Sequence, residues 1–192
     1  GEEFTIEEDK GKTFIMNSRD MCMIEHIPEL LDCGITSLKI EGRAKSAYYV
    51  AAITNAYRKA IDFAAENPNT PLPQWIIDEV DKISHREYST GFYMGTEPGQ
   101  TTTNGGYIRH YDVVAVCEGW ENGMARLSQR NRFFKGEIAD VLEPMDDAFD
   151  IKLDEMFDEW MNPIEVAPHA TMTVFIKSEK PIKKGAYIRV KR

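Results

Sequence analysis

Apolar positions along the chain have two textures. As far as about residue 83 they recur at helical spacing between short runs, and from Tyr107 they form short strand-like runs broken by turn residues. Ile35, Leu38 and Ile40 make a compact apolar run that stops at Glu41-Gly42-Arg43, as a parallel strand buried on both faces does. Ser46 then offers an N-cap, and Val50, Ile53, Tyr57, Ile61 and Ala64 share one face, which predicts a helix over 46–66. Thr13 to Met16 reads as an earlier short strand. Ser18 can cap a helix over 18–33 with Met21, Ile24, Ile27, Leu30 and Leu31 on its apolar side. Pro28 kinks or restarts that helix, and Gly34 ends it.

The order is βαβα, which makes parallel pairs with right-handed crossovers and puts the carboxyl ends of the strands at one rim. On this reading Asn17, Ser18, Glu41 and Arg43 converge there, where α/β folds place their working residues. Two strands close no barrel, so the pattern predicts the terminal βα units of an incomplete α/β (TIM-like) barrel. Such a piece leaves a sheet edge open, and a dimer or strand-exchanged assembly is the expected consequence.

Pro68, Pro71 and Pro73 stop the helix and mark a boundary, after which Gln74 to Ile83 reads as a short helix. Pro98 to Gly106 is a polar loop. Beyond it, strands are predicted at 111–118, 124–128, 133–141, 149–153, 164–166, 171–177 and 187–191. The turn signals between them include Asn122-Gly123, Glu143 to Asp147, Asn162-Pro163 and Lys183 to Gly185. That spacing predicts a small antiparallel β-barrel. The expected divisions are 1–66, 67–106 and 107–192.

A 42% hydrophobic content over 192 residues supports a real core, and no apolar run is long enough to span a membrane. Gly1-Glu-Glu-Phe4 has neither an initiator Met nor a signal pattern and reads as a boundary inside a longer protein. Cys22, Cys33 and Cys117 are too scattered for a disulfide framework and read as reduced cytoplasmic thiols, the last two as core residues. The net charge of -9 disfavours indiscriminate nucleic-acid binding. It is uneven: residues 1–100 hold 10 Lys/Arg against 17 Asp/Glu, residues 101–192 hold 13 against 15, so a local basic patch is still open.

Arg43 could grip a carboxylate or phosphate with its fork while Glu41 accepts or orients a proton; the plain alternative is an ion pair capping a barrel rim. Asn17 and Ser18 could hydrogen-bond the same ligand, or Ser18 could simply cap. His85, Arg86 and Tyr88 could meet RNA bases, or clamp the linker. Arg126, Arg130, Arg132 and Lys135, with Phe133 and Phe134 among them, read as a phosphate-and-stacking patch or as ordinary solvated surface. A second basic cluster runs from Lys177 to Arg192, and acidic residues between Asp146 and Glu159 oppose both. No nucleophile elbow or His-Glu-x-x-His pattern is present, and His26, His85, His110 and His169 lack metal-ligand spacing.

Met16-Asn-Ser-Arg-Asp-Met-Cys22, Ser37-Leu-Lys-Ile-Glu-Gly-Arg43, Ala47-Tyr-Tyr-Val-Ala51 and Ser84-His-Arg-Glu-Tyr-Ser-Thr-Gly-Phe92 together resemble the collagenase-like peptidase family U32. The resemblance is to the branch tied to tRNA uridine hydroxylation. It implies an N-terminal α/β barrel followed by an elongation-factor-like β-barrel, a tRNA partner and a small anionic substrate such as prephenate. It also implies an iron–sulfur cluster in the full-length protein, with Cys22 as its last ligand. The other thiolates would be missing here, so no cofactor is expected in this chain by itself. Glu41 and Arg43 become the catalytic candidates. A peptidase and a binding module without chemistry are the alternatives.

Overall fold

The computed structural model describes residues 7–9, 11–14, 18–95, 97–99, 101 and 106–192. The chain divides into two compact units: Gly1–Glu41 with Ala56–Arg109, and Gly42–Asn55 with His110–Arg192.

In the first unit, β1 (Glu7–Asp9) and β2 (Lys12–Phe14) form an antiparallel hairpin, Glu7 opposite Phe14. The strand expected at 13–16 therefore begins as one arm of a hairpin, not as a member of a parallel pair; residues 15–17, Asn17 included, lie outside the described residues. The helix expected over 18–33 is replaced by β3 (Asp20–Met21), a 3₁₀ turn (Ile24–His26) and α1 (Ile27–Asp32). Long-range pairing overrides the local pattern, since Asp20 N–H donates to Glu87 O at 3.0 Å and Cys22 N–H to Ser89 O at 2.9 Å. Pro28 stands in the first turn of α1, where its missing N–H costs nothing. Gly34, at φ 75°, closes α1 with its N–H on Leu31 O.

Residues 35–40 form no strand, which corrects the βαβα reading. Ile35 is exposed and the segment has no hydrogen-bonded strand neighbour among the described residues, so an apolar run alone does not make a ladder. The helix expected over 46–66 is α2 (Ala47–Glu66), with Ser46 Oγ accepting the Tyr49 N–H at 3.2 Å. Its buried stripe is Ala52, Ile53, Ala56, Ala60 and Ala64, whereas Val50 is exposed. After the prolines come α3 (Gln74–Asp78) and a 3₁₀ extension (Glu79–Lys82), which bury Ile76 and Val80. β4 (Tyr88–Ser89) pairs parallel with β3, the one parallel pairing among the described strands.

The second unit is built on a seven-stranded antiparallel sheet curled into a half-barrel. In chain order its strands are β5 (Tyr111–Glu121), β6 (Met124–Gln129), β8 (Ile138–Leu142), β9 (Phe149–Lys152), β10 (Met156–Phe157), β12 (Thr173–Lys177) and β13 (Tyr187–Lys191). They lie in the order β10-β12-β6-β5-β13-β8-β9. A separate pair joins β7 (Phe133–Phe134) to β11 (Val166–Ala167). Asn122 and Gly123, at φ 50° and 83°, make the two-residue turn between β5 and β6 that matches strand twist. The expected strand 133–141 is split in two, with Gly136 at φ 84° between the halves. Val114, Leu127, Phe133, Val141, Ile176 and Ile188 are in the core. In this unit the first residues of α2 also take part: the Tyr48 ring meets Tyr187 edge-on at 5.3 Å.

Candidate functional site

Pairing of β3 with β4 sets residues 18–21 beside residues 86–89. Arg86 is the hub. Its N–H donates to Asp20 Oδ2 at 3.0 Å, its Nη1 donates to Ser18 O at 3.0 Å and reaches Ser18 Oγ at 3.5 Å. The guanidinium carbon lies 5.4 Å from the centre of the Tyr107 ring, within cation–π range. Arg86 Nε is buried without a hydrogen-bond partner. Arg19 pairs with Glu87 at 3.2 Å.

A cleft of about 560 Å³ opens beside this hub, lined by Ser18, Arg19, Met21, Ser89, Gly91, Phe92, Tyr93 and Pro98. Gly91 sits at φ 61°, and a Cβ there would stand 3.0 Å from Met21 Sδ. The turn that carries Phe92 and Tyr93 outward therefore favours glycine twice over, for its backbone and for its missing side chain. Sequence reasoning singled out Ser18 and Arg86 but missed Arg19, Met21, Phe92 and Tyr93. The available signal was two aromatic residues in a row between Gly91 and Gly95.

His85 and Tyr88 are placed otherwise. His85 is 4% exposed, its backbone is bonded both ways to Ile108, and its Nδ1 lies 2.7 Å from Arg86 O. Tyr88 stacks on it at 4.2 Å and donates its hydroxyl to Val80 O at 2.7 Å. Both rings hold the segment in place. Cys22 packs its sulfur 3.7 Å from the Tyr57 hydroxyl, which accepts the Met23 N–H at 3.0 Å. Burial pushes the Cys22 thiol up from its ordinary value of 9.0.

Glu41 is exposed and pairs with Lys39 at 2.9 Å, and Arg43 is exposed. Without a strand at 35–40, the premise that brought these residues to a shared rim is absent. In the second unit, Arg126 pairs with Glu118 at 3.2 Å and Lys135 with Glu165 at 2.7 Å. Arg130 and Arg132 are both exposed, and Arg130 Nη1 donates to Ser128 Oγ at 2.6 Å. Phe133 is a core residue and cannot stack on a ligand, whereas Phe134 is 45% exposed. In the second basic cluster, Lys177 pairs with Glu155 and Lys183 with Asp146, and Arg189 is wholly buried.

The three cysteines do not fit an iron–sulfur cluster, which takes four ligands, usually thiolates. Cys33, against expectation, is exposed at the end of α1, and Cys117 is buried with its sulfur near Gly119 O and Ile182 O. Among the described residues, no group of three His, Cys, Asp or Glu side chains could hold a metal ion. Among them, too, no helix is long and apolar enough to cross a membrane.

The chain is 34% identical over 174 residues to tRNA hydroxylation protein P1 of Bacillus subtilis, covering 88% of this chain and 41% of that protein. It is 27% identical over 116 residues to a protein named Collagenase from Porphyromonas gingivalis, covering 59% of this chain and 32% of the relative. The chain thus spans about two fifths of the length of the first of these relatives. A solved C-terminal domain of a U32-peptidase family protein from Geobacillus thermoleovorans is 24% identical, covering 41% of this chain and 98% of that one, with a TM-score of 0.39. Residues 2–103 match the description Peptidase family U32, and residues 109–189 match Peptidase family U32 C-terminal domain. With both stretches matched in that order, the chain belongs to peptidase family U32.

Proposed function

We infer that the chain is the C-terminal part of a tRNA-modifying protein that takes part in uridine hydroxylation. The observation that carries this is its likeness, over most of its length, to tRNA hydroxylation protein P1. In this reading residues 1–66 complete the α/β barrel of a longer protein, 67–106 connect, and 107–192 form the elongation-factor-like barrel that assists RNA binding. Glu41 and Arg43 are the catalytic candidates of this reading. Asn17 would help hold a small anionic substrate such as prephenate. Cys22 would join an iron–sulfur cluster only if the longer protein supplies the remaining thiolates.

Deleting the gene and analysing tRNA nucleosides by mass spectrometry tests the reading. Loss of hydroxylated uridine is expected, and an unchanged nucleoside profile overturns it. The likeness to a collagenase favours a second reading, as a peptidase. That reading requires gelatin hydrolysis by the intact protein that disappears in Glu41→Gln.

A further inference from the structure

Phe92 and Tyr93 are 76% and 69% exposed, side by side on a turn that Gly91 shapes. Two neighbouring rings held in water give up burial that each could otherwise gain. They border the cleft that Ser18 and Arg19 also line. Ser18 in turn holds Arg86, whose guanidinium pairs with no carboxylate among the described residues and whose Nε is buried without an acceptor. The barrel cations Arg126, Lys135, Lys177 and Lys183 differ, since each already has a carboxylate partner.

Exposed aromatic faces on a cleft whose Ser18 holds the Arg86 guanidinium fit a nucleotide: the base stacks on the rings, and the phosphate is drawn to the guanidinium behind Ser18. A cleft of about 560 Å³ has room for one such unit. We propose that this cleft takes a single unstacked RNA nucleotide, with its base against Phe92 and Tyr93 and its phosphate at Arg86 and Ser18. The proposal rests on the tRNA reading and names what the first unit holds.

The test is fluorescence anisotropy of a labelled short oligouridylate, and of an abasic oligomer of equal length, against the 192-residue protein. The double variant Phe92→Ala/Tyr93→Ala changes only exposed rings and is expected to keep the circular dichroism and melting curve of the unaltered protein. It is expected to lose about tenfold or more in affinity for oligouridylate while binding the abasic oligomer as the unaltered protein does. Arg86→Lys, which keeps the charge but not the fork, is expected to weaken both oligomers. The proposal is overturned if the double variant binds oligouridylate undiminished, if the unaltered protein does not distinguish the two oligomers, or if it binds neither. An unchanged tRNA nucleoside profile on gene deletion, with oligouridylate still bound through Phe92 and Tyr93, would instead overturn the hydroxylation reading and leave the cleft standing.

Discussion

Arg189 on β13, wholly buried, donates from Nε to Oδ1 of Asp140 on β8 at 2.9 Å, and its Nη2 donates to the same oxygen. The two residues are direct cross-strand partners. Arg189 Nη1 also donates to the Tyr48 hydroxyl at 3.3 Å, so one buried cation ties the start of α2 to the barrel sheet. Removing Asp140 takes the cross-strand carboxylate away from a fully buried guanidinium. Asp140→Ala is expected to cost about 3–5 kcal/mol in urea unfolding, while the double replacement Asp140→Leu/Arg189→Met recovers most of that loss. A single-variant loss below about 1 kcal/mol would mean that water or another group already solvates Arg189.

The thiols should separate by reactivity. Cys33 is exposed, while burial raises the pKa of both Cys22 and Cys117 above 9.0. Only the thiolate attacks an alkylating agent, so near neutral pH Cys33 is modified first and the other two lag. A group whose pKa is raised by folding contributes stability that is complete below its unfolded value and is lost as pH rises through the folded one. Cys22 and Cys117 therefore draw stability down only above about pH 9. Peptide mapping after brief iodoacetamide treatment checks the order, and rapid labelling of Cys22 in folded protein would contradict it.

How far the sequence could be read depended on how local the deciding force was. β13 is the predicted strand residue for residue, and the Asn122-Gly123 turn behaves as its chemistry requires, because alternation and turn preference act over a few positions. Pro28 and Gly34 bounded α1 for the same reason. Asp20 and Met21 were misread because their partners, Tyr88 and Ser89, are remote in sequence and outweigh a helical pattern. Ile35 to Ile40 is apolar enough for a strand but has no strand neighbour among the described residues. Phe133 and Phe134 look alike in sequence, yet opposite strand faces put one in the core and leave the other in water. The burial of Arg189 likewise depends on Asp140 and Tyr48, which no local pattern reveals. Of the cleft, Ser18 is legible as a polar residue just past an expected strand, and Arg86, which it holds, as an RNA-contact candidate; the exposure of Phe92 and Tyr93 is not.

Asp158 organises the turn that presents Trp160, which is 74% exposed. Its Oδ1 accepts the N–H groups of Trp160 and Asn162 at 3.0 and 2.8 Å, and its Oδ2 accepts the Asn162 side-chain amide at 3.0 Å. The Asn162 side chain foremost, then these backbone N–H groups, hold the Asp158 carboxyl below its ordinary 3.8. A carboxyl lowered by folding stabilises above its unfolded pKa and loses that contribution as pH falls through the folded one. The turn should thus stay ordered at pH 5 and loosen only below about pH 4. In Asp158→Ala, hydrogen exchange at the Trp160 and Asn162 amides should rise at neutral pH while the barrel strands keep their protection. Unchanged exchange at both would show that the chain path alone sets the turn.

Gly91 and Gly95 offer a matched pair. Both lie at positive φ, 61° and 72°, so alanine is strained at either and is expected to cost about 1 kcal/mol. They differ in surroundings: a Cβ at Gly95 meets nothing within 4 Å, while one at Gly91 meets Met21 Sδ at 3.0 Å. Met21 is 61% exposed and flexible, so it can swing away, but it lines the cleft and any swing reshapes that space. Gly91→Ala and Gly95→Ala should therefore lose similar melting temperature, whereas only Gly91→Ala should also weaken oligouridylate binding. Equal binding by the two variants would mean that Met21 moves without entering the nucleotide's place, and that the cleft floor is set by Ser18 and Ser89 instead.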